Sequence, residues 1–461
     1  MDQEKKALVP RAIIYPFILI TSLFFLWGIA NDLTNPMVSA FKKVMRELSN
    51  FEAALVQLAF YGGYATMAIP AALFIRRFSY KGGIMLGLGL YATGALLFIP
   101  AAANEQFGFF LASLYVLTFG LAFLETTSNP YILSMGPPET ATRRLNLSQS
   151  FNPVGSLLGM LAAQIFVIKS LQSDNTFPAD VLGAGGDILH QKGDAVYDTL
   201  SAAEQAAIRT NDLNIISQPY IGLGILVLII LVIVAVSRMP KKTDTTSLPI
   251  GSTFKTLFKN KRYREGVIAQ AFYVGAQIMC WTFIFQYVDN LNAGRPVDQQ
   301  LTATWYNMAA MIAFLTGRAA NTYLLKFFNP GKLMFFFALG GITLAAGTIL
   351  IPGIAGLYCL VGISITMSLM FPTIYGIALR DMGDEAKIGS AGLVMAIVGG
   401  ALMPPLQGRL LDIGGDGFAD VQILGYIPEV NFSFILPLIC FVVVAVYSYR
   451  SFKIHLKNVK Y

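Results

Sequence analysis

Runs of about twenty apolar residues recur through this 461-residue chain, and they constrain its fold more than any other feature. Stretches such as IIYPFILITSLFFLWGIA, IGLGILVLIILVIVAV and FSFILPLICFVVVAVYSY approach or reach the ~20 residues with which an α-helix crosses ~30 Å of hydrocarbon. Hydrocarbon offers no partner for a peptide group, so a run of this kind must satisfy its own backbone as a helix. Composition agrees: 55% of the residues are hydrophobic and 13% charged, against about 25% charged in an ordinary soluble domain. The expected class is an all-α polytopic membrane protein. No small-residue cleavage site precedes the polar break in the first run, so a cleavable leader is not expected.

Apolar segments fall near 12–41, 52–75, 82–102, 107–135, 145–169 and 217–238, then near 264–291, 300–326, 332–352, 354–379, 387–411 and 430–450. The reading is twelve transmembrane helices in two six-helix bundles, 12–238 and 264–452. They are joined by a linker at 239–263 and flanked by tails at 1–11 and 453–461. Of the 33 Lys and Arg residues, twenty-four sort to the side of the chain ends and seven to the other, with Arg318 and Arg409 inside helices. That asymmetry places both termini in the cytoplasm. It also explains the net charge of +7 as topology rather than as affinity for nucleic acid. The acidic, Gly-rich stretch near 171–216 reads as a solvated outer connection. Six spans plus six suggest halves related by a pseudo-twofold axis, with a site between them at mid-membrane.

Polar residues within the spans locate that site. A carboxylate deep in hydrocarbon costs roughly 2.5–3.5 kcal/mol on insertion scales, so it faces a cavity or marks an ion path. Asp32 and Glu125 stand out. Asn31 lies beside the first, and Asn35 shares its helix face one turn on, followed by Pro36. Asn129 and Pro130 follow Glu125, while Gln149 and Asn152 share a face ahead of Pro153. Three Asn-Pro steps therefore predict breaks in helices one, four and five. In the second half Gln270, Tyr273, Gln277 and Trp281 form one stripe, with Asn321 and Tyr375 on later helices. Aromatic faces among amides suit a neutral polyol: rings stack on C–H faces, and amides exchange hydrogen bonds with hydroxyls. Trp305 and Tyr306 fit the interfacial belt. Arg318 is expected to snorkel or to pair with loop groups, and the scarcity of buried cations disfavours an organic acid. Three single cysteines and two histidines offer neither a disulfide framework nor a zinc site.

The segments NFEAALVQLAFYGGY, IPAALFIRRFSYKGGI, LETTSNP, RRLNLSQSFNPVGS, YVGAQIMCWTF and FPTIYG, spread from about Tyr15 to Phe452, resemble the fucose:proton symporters of the major facilitator superfamily. The resemblance implies the major facilitator fold, a central sugar cavity, alternating access and proton coupling through one carboxylate in the first helix and one in the fourth. Glu125 matches the latter, and Gln149 and Asn152 match a polar pair in the fifth helix. The first helix departs from the pattern: Asp32 stands where the pattern has asparagine, and Asn35 where it has aspartate. The exchange moves the carboxylate about 4.5 Å along the axis. Phe371 stands where the pattern has tyrosine.

The implied function is electrogenic import of a neutral monosaccharide, L-fucose first, with one proton across a bacterial inner membrane. Asp32 and Glu125 would couple the proton. Asn31, Asn35, Asn129, Gln149, Asn152, Gln270, Tyr273, Gln277, Trp281, Asn321 and Tyr375 are the candidates for sugar binding. Expected partners are the sugar, the proton and the bilayer, with no cofactor, no metal and no need of a second chain. The alternatives are a symporter or facilitator for another aldose (galactose, glucose or arabinose) and, from a different class, a membrane sugar sensor. An enzyme is not expected, because no Ser/His or HExxH-type constellation is present.

Overall fold

The computed structural model describes the chain except residues 1–7, 35, 49, 176–180, 183–187, 191–195, 240–249, 293–294, 297–298, 412–421 and 459–461. Twelve long rods dominate it: α1 (Arg11–Thr34), α2 (Leu55–Arg77), α3 (Tyr80–Asn104), α4 (Phe107–Ser134), α5 (Pro138–Ser170), α6 (Ala202–Val236), α7 (Lys261–Asn292), α8 (Ala303–Leu324), α9 (Pro330–Leu350), α10 (Ile354–Ala378), α11 (Ala386–Leu411) and α12 (Glu429–Lys453). Among the described residues, eleven are long and apolar enough to cross a membrane. The remaining one, α8, has the length, but Asn307, Arg318 and Asn321 make it too polar for that test.

Local chemistry sets the helix starts. The Ser79 hydroxyl accepts from the Gly82 N–H at 2.9 Å, Asn260 Oδ1 from Tyr263 at 3.2 Å, and Asn329 Oδ1 from Gly331 at 2.9 Å. Ser201 and Glu204 form a reciprocal capping box that opens α6 at Ala202. The expected connection at 171–216 is therefore shorter, because residues from Ala202 onward are not loop but the first turns of α6. Hydropathy cannot see a helix that begins in water. The connection also holds a small ribbon, Val181–Leu182 against Ile188–His190.

The predicted breaks are realised unevenly. The helix in α1 stops at Thr34 and a short one, Met37–Val44, follows Pro36; Asn35 lies outside the described residues. In α5 the helix is interrupted at Ser150 and passes into a π turn at Ala163–Val167. Contrary to expectation, α4 runs unbroken through Pro130.

Packing repeats itself six helices on. In the first half α1 lies against α5, α2 against α4, and α3 against α4 and α6. In the second, α7 lies against α11, α8 against α10, and α9 against α10 and α12. The halves meet along α2–α11, α4–α11, α5–α8 and α5–α10.

The α1–α5 crossing and its counterpart in the second half need glycine. A Cβ on Gly28 would lie 2.2 Å from the Asn152 carbonyl oxygen, and one on Gly155 2.0 Å from that of Phe25, so α1 and α5 touch backbone to backbone. In the matching pair, a Cβ on Gly399 would lie 2.1 Å from the Ala271 carbonyl oxygen. Small residues are how membrane helices gain close van der Waals contact where no hydrophobic drive exists between them. Replacing Gly155 by leucine should therefore separate α1 from α5. The expected result is a fall of several degrees or more in the melting temperature of the detergent-purified protein. Leucine at Gly108, where a Cβ would meet nothing within 4 Å, should leave it unchanged.

Candidate functional site: a polar cavity between the halves

A cavity of ≈ 120 Å³, room for several waters, opens between the bundles, and its two walls differ chemically. From the first half come Trp27, Asn31 and Asp32 on α1, Tyr61 and Tyr64 on α2, Glu125 on α4, and Gln149, Asn152 and Ser156 on α5. From the second come Tyr273, Gln277 and Trp281 on α7, Phe314 and Arg318 on α8, and Phe371 on α10. Carboxylates, amides and phenols thus face a wall of aromatic rings that carries one amide, one phenol and one guanidinium. Asp32 and Glu125 are each only 6% exposed, yet both line this space, so neither charge is spent against lipid.

Hydrogen bonds hold the polar wall in place. Asn129 donates through Nδ2 to the Glu125 carbonyl at 2.9 Å and accepts at Oδ1 from Gln149 Nε2 at 2.8 Å. Gln149 is thereby oriented by a residue on α4. Asn152 donates to the Phe24 carbonyl at 3.2 Å and ties α5 to α1. On the opposite wall Trp281 Nε1 donates to Ser364 Oγ at 3.2 Å, and its ring meets Phe314 edge-on with centroids 5.1 Å apart. Asn307 donates to the Trp281 carbonyl at 3.0 Å.

The structure brings together Asn31, Asp32, Glu125, Gln149, Asn152, Tyr273, Gln277 and Trp281. Four other candidates lie behind the lining. Asn129 supports Gln149; Asn321 donates to Ser368 Oγ at 2.9 Å; Gln270 is fully buried nearer the start of α7. Tyr375, also fully buried, sits one turn from Phe371, whose ring stacks on it at 6.3 Å. Helical stripes are wider than the wall of a small cavity, so a shared face did not guarantee a place in it.

Arg318 departs most from expectation. It does not snorkel; it is 3% exposed, lies 4.6 Å over the Phe314 ring, and donates to the carbonyls of Ser368 at 2.6 Å and Gln149 at 3.1 Å. Trp27, Tyr61 and Tyr64 were also missed. The last two are three residues apart in FYGGY, a spacing that puts two phenols on one face and could have found them. Trp305, 67% exposed, lies away from the cavity. Among the described residues no three His, Cys, Asp or Glu side chains gather as a metal site.

On the side that carries the chain ends, bonds across the halves close the cavity floor. Ser390 Oγ donates to the Thr126 carbonyl at 3.0 Å, and Asn146 Nδ2 to Thr373 Oγ1 at 3.4 Å. The Ser150 and Thr322 hydroxyls meet at 3.4 Å, and Lys387 Nζ lies 5.2 Å over the Tyr80 ring. A solute entering the cavity should change tryptophan emission through Trp27 and Trp281, two of only three tryptophans. The expected titration keeps its full amplitude in Trp305→Phe and loses a large part of it in Trp281→Phe.

Known proteins resemble this chain in sequence and in fold. Residues 13–177 match the family model of the Major Facilitator Superfamily. The chain is 54% identical over 446 residues to the L-fucose-proton symporter of Haemophilus influenzae, covering 96% of this chain and 98% of that one. It is 31% identical to the L-fucose-proton symporter of Escherichia coli K12, covering 97% and 96%. The crystal structure of the major facilitator transporter FucP in the outward conformation superposes with a TM-score of 0.78 at 30% identity, covering 96% of this chain and 99% of that chain. With likeness of this extent in both sequence and architecture, the chain belongs to the fucose:proton symporter family of the major facilitator superfamily.

Proposed function

We propose that this protein imports L-fucose together with a proton across the bacterial inner membrane, with both chain ends in the cytoplasm. The observation that carries the reading is the two-faced cavity: buried Asp32 and Glu125 on one wall, aromatic rings on the other. The bundles at 12–238 and 264–452 are the moving bodies. The floor bonds on the side of the chain ends then correspond to a carrier shut toward the cytoplasm. One chain encloses the whole cavity, so a single copy suffices as the transport unit.

Sugar hydroxyls would exchange hydrogen bonds with Asn31, Gln149, Asn152 and Gln277, while Trp281 and Tyr273 offer faces to the C–H side of the ring. Asn35 stays with Asp32 as a proposed member of the site, on the sequence alone. Asn129 and Asn321 act at one remove, through Gln149 and Ser368. Asp32 and Glu125 carry the proton. A carboxylate closed off from water is cheaper neutral than charged. A carrier that shuts over the pair therefore moves with the proton on and releases it when water reaches the site from the other side. Each 100 mV adds about 2.3 kcal/mol per proton, roughly fiftyfold in accumulation.

Proteoliposome uptake with L-fucose, galactose, glucose and arabinose tests the sugar. L-Fucose should be concentrated, and the other three should compete weakly. An outward-acid step of one pH unit is worth about 1.4 kcal/mol and should raise accumulation about tenfold, and reversing the step should drive efflux. Uptake that ignores both the gradient and an uncoupler would make the protein a facilitator. Glu125→Gln and Asp32→Asn should each abolish accumulation, while Glu125→Gln retains exchange of sugar for sugar. If both variants still concentrate L-fucose, the proton is carried elsewhere.

A further inference from the structure

Proline leaves a mark on a helix four residues before itself. It has no N–H, so the carbonyl at i−4 loses its helical partner. In hydrocarbon such a carbonyl must find another donor. Three prolines near the cavity do this at positions that matter: Pro130 frees the carbonyl of Thr126 on α4, Pro153 that of Gln149 on α5, and Pro372 that of Ser368 on α10. The donors that answer come from elsewhere in the bundle. Thr126 accepts from Ser390 on α11, in the other half. Gln149 and Ser368 both accept from Arg318 on α8, through Nη1 at 3.1 Å and Nε at 2.6 Å.

Arg318 therefore straddles two orphaned carbonyls, one in each half. Its planar fork of donors suits this, since two nitrogens can point to separate acceptors at once, which a lysine ammonium on a flexible stem does less well. Both bonds are buried, and charge-assisted bonds to carbonyls are about twice as strong as neutral ones. Phe314, one turn earlier on α8, packs its ring 4.6 Å from the guanidinium and holds it in place. On the far side of Gln149 the chain of bonds continues through Asn129 to the Glu125 carbonyl. On the far side of Ser368 it continues through the hydroxyl to Asn321.

We propose that Arg318 is a positioning residue that latches the two halves together on the side of the chain ends, and that Pro153 and Pro372 exist to keep its two acceptors free. The latch must open once per cycle, when α8 and α10 part from α5. Because the same network ends at Glu125, a shift of α4 at the carboxylate reaches the latch without a contact between the two side chains. The inference rests on the alternating-access reading above, not on the identity of the sugar or the coupling ion.

The test uses the full chain with Cys280, Cys359 and Cys440 replaced by alanine and a single reporter, Thr373→Cys. Thr373 is fully buried on α10, where its hydroxyl meets Asn146 across the seam. Inside-out vesicles are treated with a membrane-impermeant maleimide, with neither sugar nor gradient present, so a wrong sugar assignment leaves the readout intact. Arg318→Gln should speed labelling roughly tenfold, the loss expected for a charge-assisted bond. Arg318→Lys should fall between that variant and the parent. Pro153→Ala, which gives Gln149 back a helical N–H, should shift labelling in the same direction. In the Arg318→Gln background it should add nothing. Unchanged labelling in Arg318→Gln, or a Pro153→Ala effect that adds in full to it, overturns the latch. Should Arg318→Gln fail to fold, Arg318→Lys and Pro153→Ala decide the question between them, since both must label faster than the parent.

Discussion

Hydrocarbon cannot hydrogen-bond, and this rule organises the molecule. Every polar group within the spans must turn to a partner or to water. Asp32 and Glu125 turn to the cavity. Asn129, Asn321 and Asn307 turn to carbonyls and side chains of neighbouring helices. The carbonyls freed by Pro130, Pro153 and Pro372 turn to Ser390 and Arg318. The proposed sugar site and the proposed latch are thus two consequences of one requirement, which explains why they share Gln149: its side chain lines the cavity and its backbone belongs to the seam.

Close backbone approach supplies the other half of the design. Lipid does not push helices together, so Gly28 and Gly155 gain contact between α1 and α5 by leaving out side chains, and Gly399 does the same for α11 against α7. Those crossings fix the angle at which Asp32 and Asn31 on α1 face Gln149 and Asn152 on α5. They also bring two helices of each half into direct backbone contact. A carrier that works by rocking needs stiffness within the halves and weak, reversible bonds between them. The seam matches that need, with single hydroxyl and amide bonds beside one strong guanidinium.

Much of the fold was legible because spans have a length and a polarity that hydrocarbon dictates. The segments near 82–102, 107–135 and 354–379 lie within a few residues of α3, α4 and α10. The start of α6 was not legible, since its first turns from Ala202 mix polar with apolar residues and are announced by a capping box and not by hydropathy. In the site, Asp32, Glu125, Gln149 and Trp281 could be chosen because a polar or large aromatic group deep in a span needs a reason. Tyr61 and Tyr64 escaped because FYGGY offers no amide or charge beside them, whereas Tyr273 stands in a stripe with Gln270 and Gln277. Arg318 was misjudged for a different reason: arginine near a helix end has two solutions, and the one adopted here depends on carbonyls supplied by α5 and α10.

The sequence by itself determined that the chain crosses a membrane many times, in two sets, with its basic residues gathered on one side. Length, polarity and charge are local properties, readable one segment at a time. It also determined that α1, α4 and α5 carry groups which lipid would not tolerate. Only the tertiary structure decided which of those groups meet. Gln277 lines the cavity while Gln270, two turns away on the same face, lies beyond it, because the cavity spans only part of the length of α7 and neighbouring helices decide which part. Those neighbours are brought up by contacts between segments far apart in the chain, such as Gly399 against Ala271 and Arg318 against Gln149.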